Sequence, residues 1–126
     1  MMTVRDLSCA RSIRIAEAKR RFGLTERAIR FYEERGMIEV ERGLYNQRFF
    51  DEKAQTRLAW ISSLRSANIS LRDIEEIIAL EEKEGRGYAL AAERLADMRA
   101  NLAAQLRTLE KVAADLDRTL GHNAAA

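Results

Sequence analysis

Apolar residues recur at helical spacing along most of this chain and shift to a different rhythm over one short stretch. Across 13–22 the apolar positions Ile15, Ala18 and Phe22 stand three and four apart, which predicts a short amphipathic helix. Gly23 ends it, because glycine tolerates the left-handed conformation at a helix C-terminus. Thr25 then offers its hydroxyl as an N-cap, and Ala28, Ile29, Tyr32 and Phe31 carry a second helix to about Arg35, where Gly36 stops it. Two short helices around a Gly-Leu-Thr turn form a helix-turn-helix pattern. Over 37–50 the period changes: Ile38, Val40, Leu44, Tyr45, Phe49 and Phe50 gather around Gly43 and Asn46, predicting two short strands and a turn, a hairpin wing. Asp51 caps the next helix, in which Leu58, Ile61, Leu64 and Arg65 follow helical spacing around Trp60, and Asn68-Ile69-Ser70 breaks it. Ser70, with Asp73 three residues on in the place of the usual Glu, makes a near capping box for a helix that turns Leu71, Ile74, Ile77, Ile78 and Leu80 inward.

The clearest period comes last. After a charged link over 81–87, Tyr88, Leu95, Leu102, Leu109 and Leu116 follow at intervals of seven, with Ala91, Met98, Gln105, Val112 and Thr119 as the d positions between them. Such heptads predict a coiled-coil helix about 50 Å long at ~1.5 Å per residue. Ala92, Leu106, Ala113 and Leu120 widen the stripe. One helix cannot bury that stripe on itself. The natural cover is the same helix from a second chain, with Leu95, Met98, Leu102, Leu106, Leu109, Val112 and Leu116 as the dimerisation residues; the alternative is folding back on 52–80. The expected fold class is mainly α: a winged helix-turn-helix over 13–80, a link over 81–87 and a dimerisation helix over 88–120, with an N-terminal arm (1–12) and a tail (121–126).

Composition narrows the chemistry. A chain of 126 residues accommodates one small domain with an appendage, and zero prolines with six glycines agree with a helical fold. Cys9, the one cysteine, cannot form an internal disulfide or a multi-thiolate metal site, and His122, the one histidine, has no partner for acid/base or zinc chemistry. No apolar run approaches the roughly 20 residues that span a bilayer, and no secretory signal is visible, so the expectation is a cytoplasmic, nucleoid-associated protein without a membrane partner. The net charge is only +2, but it is uneven: residues 1–65 carry 14 Lys/Arg against 9 Asp/Glu, and the remainder is acidic on balance. A basic front half is what a polyanion-binding end requires.

The densest chemistry is the run Thr25-Glu26-Arg27-Ala28-Ile29-Arg30-Phe31-Tyr32-Glu33. On a helix starting at Thr25, Arg27 and Arg30 share a face, with Tyr32 and Lys19-Arg20-Arg21 nearby, while Ala28 and Ile29 take the core side. Guanidinium forks suit phosphate oxygens and guanine edges, Thr and Tyr hydroxyls donate to phosphate, and the amides at a helix start favour an anion. Arg48 adds a cation on the wing. The bland alternative is a solvated helix pair whose arginines are neutralised by Glu17, Glu26, Glu33 and Glu34.

The order of the motifs distinguishes these. The run T-x-R-x-[IL]-R-[FY]-Y-E (Thr25 to Glu33), a wing with a lone arginine before an aromatic pair (Arg48-Phe49-Phe50), and [IL]-S-L-x-[DE]-I (Ile69 to Ile74) resemble the MerR family of winged-helix transcription regulators. The resemblance implies double-stranded DNA as partner, a recognition helix bearing Thr25, Arg27, Arg30 and Tyr32, Arg48 on the wing, Trp60, Leu64 and Ile74 in the core, and an antiparallel dimer helix at 88–120. Arg14 completes the DNA-binding candidates. The wing departs from the family's usual Gly-Tyr-Arg-x-Tyr, reading Asn46-Gln47-Arg48-Phe49-Phe50. Sensor cysteines near the dimer helix are absent, as is a C-terminal ligand domain, so a short member without metal or cofactor is expected. The resemblance further implies a homodimer on an inverted repeat that bends and underwinds an overlong promoter spacer for RNA polymerase, with an effector protein or small ligand near 81–100 left open. The competing expectation is a helix-turn-helix and coiled-coil adaptor with lost DNA affinity. No nucleophile–base pair, metal cluster or glycine-rich phosphate loop points to an enzyme.

Overall fold

The structure, a computed structural model, describes residues 11–121, so the arm up to residue 10, Cys9, His122 and the tail beyond Gly121 lie outside the described residues. In chain order the elements are β1 (Ile13–Arg14), α1 (Ile15–Phe22), α2 (Glu26–Glu34), β2 (Glu41–Arg42), a 3-10 turn (Leu44–Asn46), β3 (Arg48–Phe50), α3 (Glu52–Ser66), α4 (Leu71–Glu84) and α5 (Gly87–Leu116), with a π-turn at Asp117–Gly121. Two compact units result, one up to Tyr88 and one from Ala89 onward.

In the first unit the local punctuation falls where the side-chain chemistry demands. Thr25, Asp51 and Ser70 each occupy an N-cap and accept a hydrogen bond from the amide three residues on, Ala28, Ala54 and Asp73, at 3.1, 2.8 and 3.2 Å. Gly23 and Gly85 close α1 and α4 in the left-handed region, with φ of 63° and 67°. α4 therefore runs on to Glu84, and the link expected over 81–87 shrinks to Gly85 and Arg86. Phe50, Ile29, Leu58, Ile61, Ile74 and Ile77 are the largest fully buried side chains, drawn from β3, α2, α3 and α4, so one core unites the helix-turn-helix, the wing and the α3–α4 hairpin. The Ser62 hydroxyl donates to the Phe22 carbonyl at 2.8 Å and ties the end of α1 to α3.

Two expectations need correction. The start of the first predicted helix is instead strand β1, antiparallel to β3 with Ile13 opposite Phe50 and Arg14 opposite Phe49, so the sheet has three strands in the order β1-β3-β2. A two-residue strand has no period of its own; its conformation is set by a partner far along the chain. In the wing, the strands are shorter than the apolar run suggested. Ile38 is buried in the core ahead of β2, and Leu44 and Tyr45 form the tip.

The α4–α5 junction is tight. The Gly87 amide donates to Glu81 Oε1 at 3.0 Å, and a Cβ built on Gly87 would stand 2.7 Å from the Ile77 carbonyl oxygen and 2.6 Å from Glu81 Cβ. Helix propensity alone would favour Gly87→Ala by about 1 kcal/mol. The clash involves backbone, so overpacking at about 1–3 kcal/mol outweighs that gain. Gly87→Ala is expected to lower the urea midpoint, and a raised midpoint would show the junction to be loose.

Candidate nucleic-acid interface

At 100° per residue, α2 divides into two faces. Ala28, Ile29 and Tyr32 occupy one, and Ile29 and Tyr32 are buried. Arg27, Arg30, Phe31 and Glu34 occupy the other, and with Glu26 they line an open groove. Arg27 is exposed and makes no ion pair among the described residues. Arg30 donates to Glu26 Oε1 at 2.7 Å, one turn back on the same exposed surface. An exposed i,i+4 pair contributes about 0.3–0.5 kcal/mol, small enough for a phosphate to replace the carboxylate. Thr25 Oγ1 is already an acceptor for the Ala28 amide, which leaves its hydroxyl proton to donate outward.

Tyr32, expected among the DNA-contacting side chains, is buried, although with Thr25, Arg27 and Phe31 it lines one groove. It is only 6% exposed, and its ring belongs to the core. Its spacing of four from Ala28 and three from Ile29 already placed it on their side. The aromatic on the arginine face is Phe31, 38% exposed and one turn beyond Arg27. Tyr32 meets its edge at a centroid distance of 6.1 Å, and the Arg35 guanidinium lies 5.7 Å from its centroid. Arg35 is in turn held by a two-pronged pair with Glu75 of α4, at 2.9 and 3.0 Å.

The wing is fastened to α2 by one carboxylate. The β2–β3 register sets Arg42 opposite Arg48, a like-charge pair that is unfavourable on its own. Glu33 resolves it: Arg42 Nη2 donates to Oε2 at 3.0 Å and Arg48 Nε to Oε1 at 3.1 Å. Arg48, expected as a cation on the wing, stands there partly buried with its guanidinium engaged by Glu33. Nothing local in the sequence announced Glu33 in this role, since its two partners lie 9 and 15 residues away. Arg14, on β1, is exposed without an ion pair among the described residues. The candidates therefore separate: Thr25, Arg27 and Arg30 share the exposed side of α2, Arg48 joins them through Glu33, Arg14 sits on the sheet and Tyr32 is interior.

On the opposite side of α3, Arg57 and Lys53 both pair with Glu82 of α4, at 2.9 Å each. The hydrogen bonds from Lys53 and Arg57 hold the Glu82 carboxyl below its ordinary range. Among the described residues no group of three or more His, Cys, Asp or Glu gathers as a metal would require, and no helix is long and apolar enough to cross a membrane. Within the second unit, Leu95, Leu102, Leu106, Leu109, Val112 and Leu116 are exposed along α5, and Met98 is partly so.

Comparison with known proteins supplies the context for this geometry. A family model described as MerR HTH family regulatory protein matches residues 13–81, and one described as MerR, DNA binding matches residues 55–119. The chain is similar to the HTH-type transcriptional regulator CueR of Bacillus subtilis (strain 168), 32% identical over 75 residues, which are 60% of this chain and about half (52%) of CueR's length. It is also similar to the HTH-type transcriptional regulator HmrR of Rhizobium leguminosarum bv. viciae, 29% identical over 86% of this chain and 81% of that one. Among solved structures, HiNmlR, a MerR family regulator lacking the sensor domain and bound to promoter DNA, aligns with a TM-score of 0.63 at 20% identity, covering 87% of this chain and 91% of that one.

Proposed function

The chain belongs to the MerR family of helix-turn-helix regulators, and on that premise we propose that it works as a homodimer that reads an inverted-repeat promoter site. As a MerR-family transcriptional regulator it carries that family's DNA-binding domain, and such regulators are not enzymes. In this reading α2 lies in the major groove with the wing beside it, and the α5 helices of two copies set the distance between half-sites. The spacer between them is bent and underwound, so that deformation energy contributes to selectivity and RNA polymerase gains access to both promoter elements. The observation that carries the reading is the exposed pair Arg27 and Arg30 on one face of a capped helix whose opposite face is buried. That HiNmlR is bound to promoter DNA supports the same assignment.

The adaptor reading is favoured by one observation, that Arg30 and Arg48 already hold carboxylates. A salt titration of duplex binding separates the two. Each phosphate contact contributes about 0.9 to the slope of log K against log salt. A homodimer carries every substitution twice, so Arg30→Ala is expected to flatten the slope by about two units and Arg27→Ala plus Arg30→Ala by more. Binding that ignores salt and survives both substitutions would establish the adaptor instead.

A further inference from the structure

Arg42 and Arg48 meet Glu33 in different ways. Arg42 commits both ends of its guanidinium: Nη2 donates to Glu33 Oε2 at 3.0 Å, and Nη1 to the Asn46 carbonyl at 3.5 Å. Arg48 donates to Glu33 Oε1 through Nε, at 3.1 Å. Its Nη1 and Nη2 take no hydrogen bond among the described residues. A guanidinium is a planar fork of donors; here the inner one is held and the outer edge stays available.

Net charge does not draw a polyanion to the wing. Residues 39–48 carry Glu39 and Glu41 against Arg42 and Arg48, and Glu33 tips that balance to the acidic side. Any contribution of Arg48 must therefore come from where its donors are placed. Its backbone is fixed, because β3 is the central strand of the sheet. Its side chain and that of Glu33 are each only 21% exposed, so the pair is held more firmly than a surface one. An unrestrained arginine loses much rotamer freedom on meeting a phosphate, and one already held loses less.

We infer that Glu33 is a positioning residue: it grips Arg48 at Nε and aims the outer edge of that guanidinium at a phosphate of the duplex read by α2. This inference rests on the DNA-binding reading above and adds to it the residue that orients the wing cation. Two features favour aiming over mere neutralisation. Arg42, opposite Arg48 in the β2–β3 register, occupies the other oxygen of Glu33 and so braces the carboxylate against turning away. Glu33 itself stands one turn beyond Arg30 on α2, so the aim of Arg48 is set from the helix that carries Arg27 and Arg30.

The test uses the full chain and a duplex selected by the wild-type protein from a random pool. Charge alone predicts that Glu33→Ala binds this duplex more tightly, since a carboxylate leaves each protomer. Positioning predicts the opposite sign, a loss of about tenfold, in a chain that is still folded at the assay temperature. Glu33→Gln is expected to bind within about threefold of wild type, because its amide oxygen still accepts from Nε. Arg48→Ala is expected to flatten the salt slope by about two units, and in that background Glu33→Ala should cost less than about twofold more. Undiminished binding by Glu33→Ala would overturn the inference. So would a failed rescue by glutamine, an unchanged slope in Arg48→Ala, or a full further loss in the double variant. Each of those outcomes leaves the DNA-binding reading standing, whereas a wild-type chain that retains no duplex removes both.

Discussion

Leu102→Asp combined with Leu109→Asp is expected to convert the chain to monomers at micromolar concentration and to lower its affinity for an inverted-repeat duplex by several orders of magnitude. Both leucines lie on the exposed stripe of α5, one heptad apart, in a row with Leu95 and Leu116. Burying a leucine fully contributes about 1.5–3 kcal/mol, and a twofold interface contains each residue twice. Four leucine contacts would thus disappear, about 6–12 kcal/mol in all, a range that brackets the ~8 kcal/mol corresponding to a micromolar dissociation constant. The aspartates add the cost of desolvating four carboxylates that face one another. Sedimentation velocity reads the outcome directly. Binding then falls because two half-sites are no longer engaged by one linked molecule. A dimer that persists would place the seam away from Leu102 and Leu109, and loss of DNA binding without loss of the dimer would show that α5 has another task.

The legibility of this fold in its sequence divides along the range of the interactions. Caps and stops are local, so short sequence windows place Thr25, Asp51, Ser70 and Gly23, and each performs the expected role. Helix faces are nearly as local. The heptad leucines of α5 are legible from spacing, and so is the buried side of α2, where the spacing of Tyr32 from Ala28 and Ile29 places it although the resemblance implies a DNA contact. What could not be read is long-range. β1 exists because Ile13 and Arg14 meet Phe50 and Phe49, which no window of a few residues contains. The Glu33 anchor depends on register between β2 and β3 setting two arginines opposite each other. Tyr45 resembles a strand residue in any propensity scheme, and only the backbone reveals that it sits at the tip. Arg48 illustrates the consequence for function: a motif fixes which residue type stands on the wing but not whether its charge is free.

Phe50→Ala is expected to unfold most of the first unit at physiological temperature. Phe50 is fully buried, pairs with Ile13 across the sheet, and its carbonyl accepts a hydrogen bond from Gln55 Nε2 at 2.9 Å. The next residue, Asp51, caps α3. One side chain thus seals the sheet onto the helical hairpin at the point where the wing returns to the core. Truncating a buried phenylalanine to alanine costs about 3–5 kcal/mol, a large part of the 5–15 kcal/mol that holds a domain together. At about 4–8 °C per kcal/mol for a unit of this size, the melting temperature should fall by at least 12 °C. Phe49 is the internal control. Alternation along β3 turns it to the other face, where it is only partly buried, so Phe49→Ala is expected to cost less than half as much. Thermal denaturation followed by circular dichroism at 222 nm compares the two. Equal losses would mean that β3 is not registered with Phe50 inward, and the placement of Arg48 and of the whole wing relative to α2 would then have to change with it.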